Sequence, residues 1–575
     1  MNIFSHFSQQ ITDITDTLIT NGTITLTDTA KPAACEPPRD PDHGDISTNY
    51  AMVMAKPANM SPRDLAAHLV KHIAHLDGVS DVNIAGPGFI NLTLDPAMWQ
   101  HRIDDILTAG AAWGENDIGK GEKINVEYVS ANPTGPLHAA HARGAIIGDS
   151  LANLLETCGY DVTREYYIND AGNQVDVLAR SVLTRYKQAL GDSTAEVAEG
   201  QYPGEYLIDT GDKLAQKHGD TLLKMDEREW LPLIRSFAID DMMETIKADL
   251  GQLDIHMDRF SSERQLVENG AVDTAIGKLK DNGLIYLGVL EKPKAGNAED
   301  WEPREQLLFR STDYGDDVDR AVKKSDDTWT YFASDIAYHL DKLERGSDKL
   351  INIWGADHGG YVKRMKSAVS AFTGQKDSLN IQLVQLVKLL DGGKQVKMSK
   401  RAGTFVTLSD VLDTVGKDIL RFIMLTRRTD QTMDFDYAEV TTQSRENPVF
   451  YVQYAHARAC SVLRQDDAVK IDVSGANLGL LSDPAEMALI RLLASYPRQV
   501  EAAGQAFEPH RIAFYLMDLA AAFHGLWNKG RDDASLRFIT DNTALTAARL
   551  KLVNATAVVI RNGFAILGVD AINEM

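Results

Sequence analysis

Two short segments of this sequence combine residue types that could stabilise charge on a phosphate. The segment HAAH at 138–141 places His138 and His141 three residues apart, so that both imidazoles share one face of a helix. A helix N-terminus also offers free N–H groups and the positive end of the helix dipole. The segment KMSKRAG at 397–403 holds three cations within five residues, which suits a triphosphate. Together the two segments predict phosphoryl or adenylyl transfer chemistry.

Neither segment is specific on its own. The chain has 15 histidines, and a second HxxH pair, His72 and His75, lies in a helical stretch that begins near Pro62. That second pair has no preceding strand or Pro/Gly loop, so we interpret it as structural. A basic pentamer is most often a solvated loop. The functional interpretation of HAAH therefore depends on its context, which is a strand (INVEYV), a loop (ANPTGP) and a helix of small residues over about 137–158.

The elements that must position these segments predict a multidomain α/β protein. Residues 1–115 are typical of an α+β domain, with a Gly/Pro turn before the strand INLTL. Residues 116–445 predict a Rossmann-type catalytic domain with a parallel sheet, whose strands return at TWTYFASD, LINIWGADH and IQLVQLV. A largely helical, acidic insertion is predicted at about 170–325. Residues 446–575 predict an all-α C-terminal domain.

Composition limits the class of protein. The 575 residues are 44% apolar and 25% charged, as in a folded globular chain, and the formal charge is −23. An acidic chain can bind nucleic acid only through a local basic face, and residues 446–575 permit one, with 12 Lys and Arg against 14 Asp and Glu. No apolar run approaches about 18 residues, so no membrane span or membrane partner is expected. Three dispersed cysteines and an N-terminus without the basic residues of a signal peptide predict a cytoplasmic protein.

The flanks of both motifs resemble one family. HAAH and KMSKR are similar to the two signature motifs of class I aminoacyl-tRNA synthetases. The segments VEYVSANPTGPLHAAHARG, YYINDAGNQ, FSSER, TDYGDDVDRAVKKSDDTWTYFASDIAYH and INIWGADHGGYVKR resemble arginyl-tRNA synthetases. DPDHGDISTN with GPGFINLTL resembles that family's N-terminal tRNA-binding domain, and YVQYAHARA through RNGFAILGV resembles its anticodon-binding domain. The resemblance covers nearly the whole chain.

The resemblance implies that ATP activates arginine, releasing pyrophosphate, and that the arginyl group is then transferred to the terminal adenosine of tRNA. His138, His141, Lys397 and Lys400 would be the catalytic residues, acting by position and charge without a protein nucleophile. ATP would arrive with Mg²⁺, and neither a tightly bound cofactor nor a protein metal site is expected. The residues that would bind ATP are Pro133, Gly135, Pro136, His138, Ala140, His141, Met398, Ser399 and Lys400.

The resemblance also implies an arginine pocket. Ser130 and Asn132 would hold the α-amino end, and Glu263, Tyr331 and Asp335 would surround the guanidinium. A planar group with five donors is best recognised by carboxylates, so a second, editing site is not needed. Glu127 and His358 are further candidates, although Glu127 could instead anchor its strand and His358 could pack a loop beside the adenylate.

One residue departs from the family pattern. The third position of the HxxH motif is usually glycine, close to the adenine, and here it is Ala140. If the adenine ring cannot shift, the extra methyl group would cost about 1–3 kcal/mol of ATP binding or slow activation.

For tRNA, the resemblance implies contacts in both flanking domains. Phe89 and Asn91 would touch the D-loop, where an aromatic ring can stack on an unpaired base, although Phe89 could also be a core residue. Tyr454 and Met575 would contact the anticodon loop, with Arg458 as a phosphate contact. The expected partners are arginine-accepting tRNA, arginine and ATP, and we expect a monomer.

Two alternatives remain at this point. A nucleotidylyltransferase also uses HxxH at a helix N-terminus, but it would not need the flanking domains. A synthetase-like tRNA-binding protein that has lost catalysis would explain Ala140, but KMSKR and the pocket residues argue against it.

Overall fold

The computed structural model describes residues 2–290, 304–396, 406–442, 444 and 446–575. The chain forms two compact units. The first unit contains Met1–Ile118, Ser444–Ile566 and Asp570–Met575, and the second contains Gly119–Gln443 and Leu567–Val569.

The N-terminal part of the first unit is an α+β fold. Its elements are α1 (Ile3–Thr20), β1 (Ile46–Thr48), α2 (Tyr50–Met54), α3 (Pro62–Ile73), β2 (Val79–Ala85), β3 (Phe89–Leu94), α4 (Pro96–Gln100) and α5 (Arg102–Ala109). The strands form an antiparallel sheet in the order β1-β3-β2. The Asn2 side chain caps α1 by accepting from the Phe4 amide, and Phe7 and Ile11 on that helix are fully buried.

The second unit contains the segments that carry the candidate chemistry. Its elements in chain order are β4 (Lys123–Glu127), α6 (Ala139–Thr157), β5 (Asp161–Ile168), α7 (Asn173–Ala189), α8 (Tyr206–His218), α9 (Glu227–Gln252), β6 (Arg259–Ser262), α10 (Glu263–Glu268), α11 (Ala271–Asp281), β7 (Ile285–Gly288), β8 (Gln306–Phe309), β9 (Arg320–Ala321), α12 (Tyr331–Glu344), β10 (Lys349–Gly355), α13 (Val362–Thr373), β11 (Leu379–Val384), β12 (Val387–Asp391), β13 (Lys394–Gln395), α14 (Leu408–Val415), α15 (Lys417–Met424), β14 (Met433–Asp436) and α16 (Tyr437–Val440).

The main sheet of this unit is parallel and five-stranded, in the order β11-β10-β4-β5-β6. The chain leaves β4 towards β5 on one side and later returns to β10 on the other. The crevice between β4 and β10 is therefore the topological switch point, where open α/β sheets bind ligands. The predicted fold class is confirmed, with a parallel-sheet catalytic domain, an N-terminal α+β part and a helical C-terminal part.

Two expectations about strands need correction. TWTYFASD is not a strand, because the Thr330 side chain accepts from the Ala333 amide and starts α12 at Tyr331. The segment predicted as a helical insertion also contains β6, the edge strand of the main sheet, and the small antiparallel sheet β7-β8-β9. These strands have two to four residues, which is too short to show a clear alternation of apolar and polar side chains.

The C-terminal part of the first unit is helical. Its helices are α17 (Pro448–Leu463), α18 (Asp466–Val469), α19 (Pro484–Ala506), α20 (His510–Asp532) and α21 (Thr543–Leu567). It packs on the N-terminal part of the same unit, where Lys551 Nζ lies 2.7 Å from Asp104 and Asn562 donates to the Trp113 carbonyl at 3.0 Å. By length and composition alone α21 could cross a membrane, but 78% of its most apolar window is buried, as in a core helix.

Leu567–Val569, which are the last residue of α21 and the two residues after it, belong to the second unit. The fully buried Arg421 guanidinium donates to the Leu567 carbonyl at 2.8 Å and pairs with Asp149 at 2.5 Å. Gly568 has a φ of +65°, and a Cβ there would lie 2.1 Å from the same guanidinium. Only glycine fits this position.

Candidate active site

A cavity of about 1300 Å³ opens at the carboxyl ends of β4 and β10. The loop after β4 forms one wall, and Trp354 and His358 lie on the β10 side. The structure brings most predicted residues of the β4 loop and α6 to this cavity, namely Ser130, Asn132, Gly135, Pro136, His138, Ala140 and His141. Pro133 is buried within the same loop.

The two histidines of HAAH lie together at the start of α6. His138 is the N-cap residue, and the rings of His138 and His141 are stacked with centroids 3.7 Å apart. The His138 amide donates to Nδ1 of His141 at 3.3 Å. A neutral ring that accepts at Nδ1 carries its proton on Nε2, so His141 can present an N–H donor to a phosphate at a helix N-terminus.

Side chains of the predicted insertion hold the loop that precedes these histidines. Tyr206 of α8 donates to the Thr134 carbonyl at 2.7 Å, and its ring lies against Gly135, where a Cβ would approach to 3.0 Å. Asp249 of α9, which is buried, accepts from the Leu137 amide at 2.9 Å. The insertion thus positions the phosphate-binding end of α6.

Lys397, Met398, Ser399 and Lys400 of the second motif lie outside the described residues. The segment that follows them does lie beside HAAH, because the Ala139 amide donates to the Val406 carbonyl at 3.2 Å and the Leu408 amide donates to the Leu137 carbonyl at 2.8 Å. The described residues that follow the second motif, Val406 to Leu408, are therefore hydrogen-bonded to the start of α6.

The backbone at the end of β4 is strained. Val129 has a φ of +69° and Ser130 a φ of +40°, and the Ser130 amide donates to the Tyr128 carbonyl at 3.0 Å. A positive φ is rare for a β-branched residue, and such conformations cost about 1–3 kcal/mol each. The Ser130 hydroxyl holds the turn by donating to Glu127 at 3.0 Å and accepting from the Tyr167 amide at 3.1 Å.

An acid cluster, which we define as Asp170, Glu263 and Asp335, lies at the carboxyl ends of β5 and β6 and on α12. Asp170 accepts from the Ser262 hydroxyl at 2.6 Å and from the Arg264 amide at 2.9 Å, and Asp335 accepts from the Tyr361 hydroxyl at 2.6 Å. Among the described residues, no group of three or more His, Cys, Asp or Glu side chains is placed to hold a metal ion. Carboxylate oxygens accept hydrogen bonds, so the cluster could receive a cation that carries several N–H donors.

Burial raises the pKa of two carboxyl groups of this cluster, those of Glu263 and Asp335. Burial, and then the charge of Asp170, raises the pKa of Glu263 to about 7. Burial is also the main cause that raises the pKa of Asp335 to about 7, although the hydrogen bond from Tyr361 opposes it. Bringing a guanidinium into the cluster would reverse this effect and favour both charged forms.

Glu127 is buried and is not among the residues that line the cavity. Its carboxylate pairs with Nζ of Lys342, which is fully buried, at 2.6 Å. Lys342 also donates to Asn352 at 3.3 Å, and Asn352 contacts Nε2 of His339 at 2.9 Å. Nδ1 of His339 lies 2.7 Å from the Asp335 carbonyl, so a hydrogen-bonded chain joins the ends of β4 and β10 to the backbone of α12. Of the two interpretations of Glu127, this geometry favours the anchoring one.

Tyr331 and His358 are exposed members of the predicted arginine set, as is Asn132. Tyr331 begins α12 and is 64% exposed, with its hydroxyl 3.4 Å from the position of a Cβ on Gly172. His358 lines the cavity beside Asp357, with its Nε2 3.8 Å from that carboxylate.

The residues predicted to contact tRNA lie in the first unit. Phe89 is 38% exposed at the start of β3, whereas Asn91 is 2% exposed and accepts from the Ser47 hydroxyl at 2.7 Å. Asn91 thus joins β3 to β1 inside the sheet that carries Phe89. His72 and His75, which we interpreted as structural, are both exposed at the end of α3.

Arg458 lies in an aromatic group on α17 and α20. Its guanidinium donates to the Tyr454 hydroxyl at 2.7 Å and stacks over the rings of Tyr454 at 4.2 Å and Trp527 at 4.5 Å. It also contacts Nδ1 of the buried His524 at 2.9 Å, which must accept because arginine can only donate. Tyr454 is 44% exposed and Met575 is 58% exposed.

Several residues of the site were missed from sequence. Tyr167, Asp170, Tyr206, Asp249, Lys342 and Tyr361 all support or line it. Tyr167 and Asp170 stand in YYINDAGNQ, a segment already noted for its resemblance, so that motif was the available signal. Nothing in the sequence around Tyr206 or Asp249 distinguishes them from other helical residues.

Comparison with known proteins agrees with this geometry. Three family models match, described as the arginyl-tRNA synthetase N-terminal domain over residues 2–94, the class I (R) tRNA synthetase catalytic domain over 102–449, and the DALR anticodon-binding domain over 452–575. The chain is 54% identical to the arginine–tRNA ligase of Parvibaculum lavamentivorans and 53% identical to that of a Jannaschia species, with 100% of each chain covered. Its fold is similar to Thermus thermophilus arginyl-tRNA synthetase, with a TM-score of 0.75, 19% identity and 100% of both chains covered. Full-length matches at this level place the chain in the arginyl-tRNA synthetase family.

Proposed function

We propose that this chain ligates arginine to its cognate tRNA in two steps at the cavity between β4 and β10. In the first step a carboxylate oxygen of arginine attacks the α-phosphorus of ATP, and the bond to the β-phosphate breaks to release pyrophosphate. In the second step a hydroxyl of the terminal ribose of tRNA attacks the carbonyl carbon, and AMP leaves. The observation that carries the proposal is the placement of HAAH at the switch-point cavity together with an acid cluster at the carboxyl ends of β5 and β6 of the same sheet.

Each group has a distinct part in this proposal. His138 and His141, at the N-terminus of α6, hold the ATP phosphates, and Lys397 and Lys400 neutralise the triphosphate as its charge shifts. Ser130 and Asn132 bind the α-amino end of arginine. Glu263 and Asp335 bind the guanidinium, with Tyr331 closing over it. His358 lies beside the adenylate.

ATP enters as its Mg²⁺ complex, and the enzyme acts as a cytoplasmic monomer. The flanking parts bind tRNA, with Phe89 stacking on an unpaired D-loop base and Asn91 fixing its strand. Tyr454, Arg458 and Met575 contact the anticodon loop, where exposed aromatic and guanidinium planes can stack on bases. Sedimentation of the free enzyme measures its mass in solution and so tests whether it is a monomer.

Arginine-dependent exchange of pyrophosphate into ATP tests the proposed reaction. We expect exchange with arginine that is strongest when total tRNA is present, and none with lysine or ornithine. No exchange in either arm, while tRNA still binds, would support the hypothesis of a tRNA-binding protein that has lost catalysis.

Replacing Ala140 by glycine should preserve or improve the affinity for ATP. The Ala140 methyl group is exposed to the cavity in the first turn of α6, and one turn later Gly144 faces open space. Removing the methyl group widens the adenine side of the cavity. The KM for ATP in pyrophosphate exchange is the measurement.

The matched control for this change is Ala139→Gly. Ala139 lies in the same turn but is 2% exposed. The Ala139→Gly variant should therefore lose about 1 kcal/mol of helix stability without a change in the shape of the cavity. An ATP affinity clearly lower in Ala140→Gly than in Ala139→Gly would mean that the methyl group contacts the nucleotide.

Arginine should bind more tightly as the pH rises through about 7. Glu263 and Asp335 each have a pKa raised to about 7 in the free enzyme, so below that pH each carries a proton that the guanidinium must displace. The groups that face them are Asp170, Glu127, Lys342, Tyr167 and Tyr361. The dissociation constant should fall by about tenfold per pH unit for each proton released.

Calorimetric titration at pH 6 to 8, in two buffers of different ionisation enthalpy, measures this proton release. Release should be largest at pH 6 and vanish near pH 8, and Asp335→Asn should lose one proton of it. Binding that releases no protons at pH 6 would contradict a role for these carboxyls.

A further inference from the structure

The hydroxyl group of Tyr167 is buried beside the acid cluster without a hydrogen-bond partner among the described residues. The residue is only 9% exposed. A buried hydroxyl group without a partner loses its hydration and gains nothing in return, so such groups are rare and point to a ligand or a function.

Three elements place this hydroxyl at the guanidinium end of the proposed pocket. Tyr167 is the penultimate residue of β5, and its ring stacks on that of Tyr338 with centroids 4.3 Å apart. Tyr338 lies three residues after Asp335, so both share one face of α12. On the other side, Ile168 pairs with Ser262, and Glu263 follows directly.

The electrostatic environment agrees with this placement. The pKa of Tyr167 is raised well above its usual value, first by burial and then by the carboxylates of Asp335 and Glu263. The amide of Tyr167 donates to the Ser130 hydroxyl at 3.1 Å, so the same residue joins the two ends of the proposed pocket.

We propose that Tyr167 binds the arginine substrate directly, with its hydroxyl oxygen accepting one N–H of the guanidinium. This inference rests on the proposed arginine pocket. A guanidinium has five N–H donors, and a phenol can accept one of them while donating its own proton to a neighbouring carboxylate. A hydroxyl group can accept from the guanidinium and donate to a carboxylate at the same time, which an ionised carboxylate cannot do.

Tyr167→Phe tests the inference, because it removes the hydroxyl and keeps the ring. In pyrophosphate exchange the KM for arginine should rise about tenfold or more, the loss expected for a hydrogen bond to a charged group, while the KM for ATP stays within about twofold. The free variant should unfold at a temperature no lower than that of the parent, since the hydroxyl has no partner to lose and its burial costs free energy. The rise in unfolding temperature caused by saturating arginine should be smaller.

Tyr338→Phe is the matched control. Tyr338 is also buried with an unpartnered hydroxyl among the described residues, but the carboxylates that raise its pKa, after burial, are Glu127 and Glu165. Its KM for arginine should stay within about twofold of the parent value, because the ring is retained and no contact with the guanidinium is lost. An equal rise in both variants would assign the effect to packing and overturn the inference.

Asp335→Asn separates this inference from the pocket itself. If Asp335→Asn raises the KM for arginine and Tyr167→Phe does not, the pocket stands and the role of Tyr167 is wrong. If neither variant changes the KM, the pocket is wrongly placed and the inference fails with it.

Discussion

Replacing His141 by alanine should lower the rate of arginine activation by about 10²- to 10³-fold, the effect of removing one preorganised donor to a charged transition state. His141 lies in the first turn of α6, stacked 3.7 Å from His138, with Nδ1 occupied by the His138 amide. The fold therefore keeps the His141 proton on Nε2. Pyrophosphate exchange at saturating ATP and arginine measures the loss, and tRNA affinity should be unchanged.

Two control variants keep this result specific. His141→Gln retains an acceptor that can cap the helix but lacks the imidazole, so its rate should be as low as that of His141→Ala while its stability recovers. His75→Ala, in the second HxxH of the chain, should be silent. Unchanged activation in His141→Ala would remove this residue from the mechanism.

Replacing Lys342 by methionine should lower the free energy of unfolding by about 3–5 kcal/mol, because it leaves a buried charge without its partner. Lys342 is fully buried, and its ammonium group is 2.6 Å from Glu127 and 3.3 Å from Asn352. The lost pair also frees the end of β4, so the KM for arginine should rise. Urea unfolding followed by circular dichroism measures the first effect.

The double variant Lys342→Met with Glu127→Gln is the informative comparison. It removes both charges, so it should be more stable than Lys342→Met alone. A double variant that is no more stable than the single one would show that the Glu127 charge is not what makes the lysine necessary.

The sequence was sufficient to predict the parts of the fold with strong local signals. INVEYV, LINIWGADH and IQLVQLV overlap β4, β10 and β11, which each begin one or two residues earlier, and the small-residue helix begins within two residues of the predicted position. These segments are apolar on both faces or strongly periodic, which fixes their type locally. TWTYFASD failed because its aromatic and β-branched residues favour a strand, whereas the Thr330 cap starts a helix.

The candidate site also contains residues that could be predicted from the sequence and residues that could not. Residues that carry the chemistry stand in motifs, so HAAH, FSSER and YFASD pointed to His138, Glu263 and Asp335. Residues that hold these in place do so from distant segments, as Asp249 does for Leu137 across 112 positions. Such a pairing depends on the tertiary fold and leaves no local pattern. The same holds for the raised pKa of Asp335, which is a consequence of burial.

The bond from Arg421 to the Leu567 carbonyl sets an order of events during synthesis. The two residues are 146 positions apart, and Leu567–Val569 are part of the second unit. At about 5–20 residues per second, a ribosome needs roughly 7–30 seconds to make the intervening chain. Throughout that time the Arg421 guanidinium lacks the Leu567 carbonyl as an acceptor. The second unit therefore reaches its final packing only after most of the helical C-terminal part has been translated.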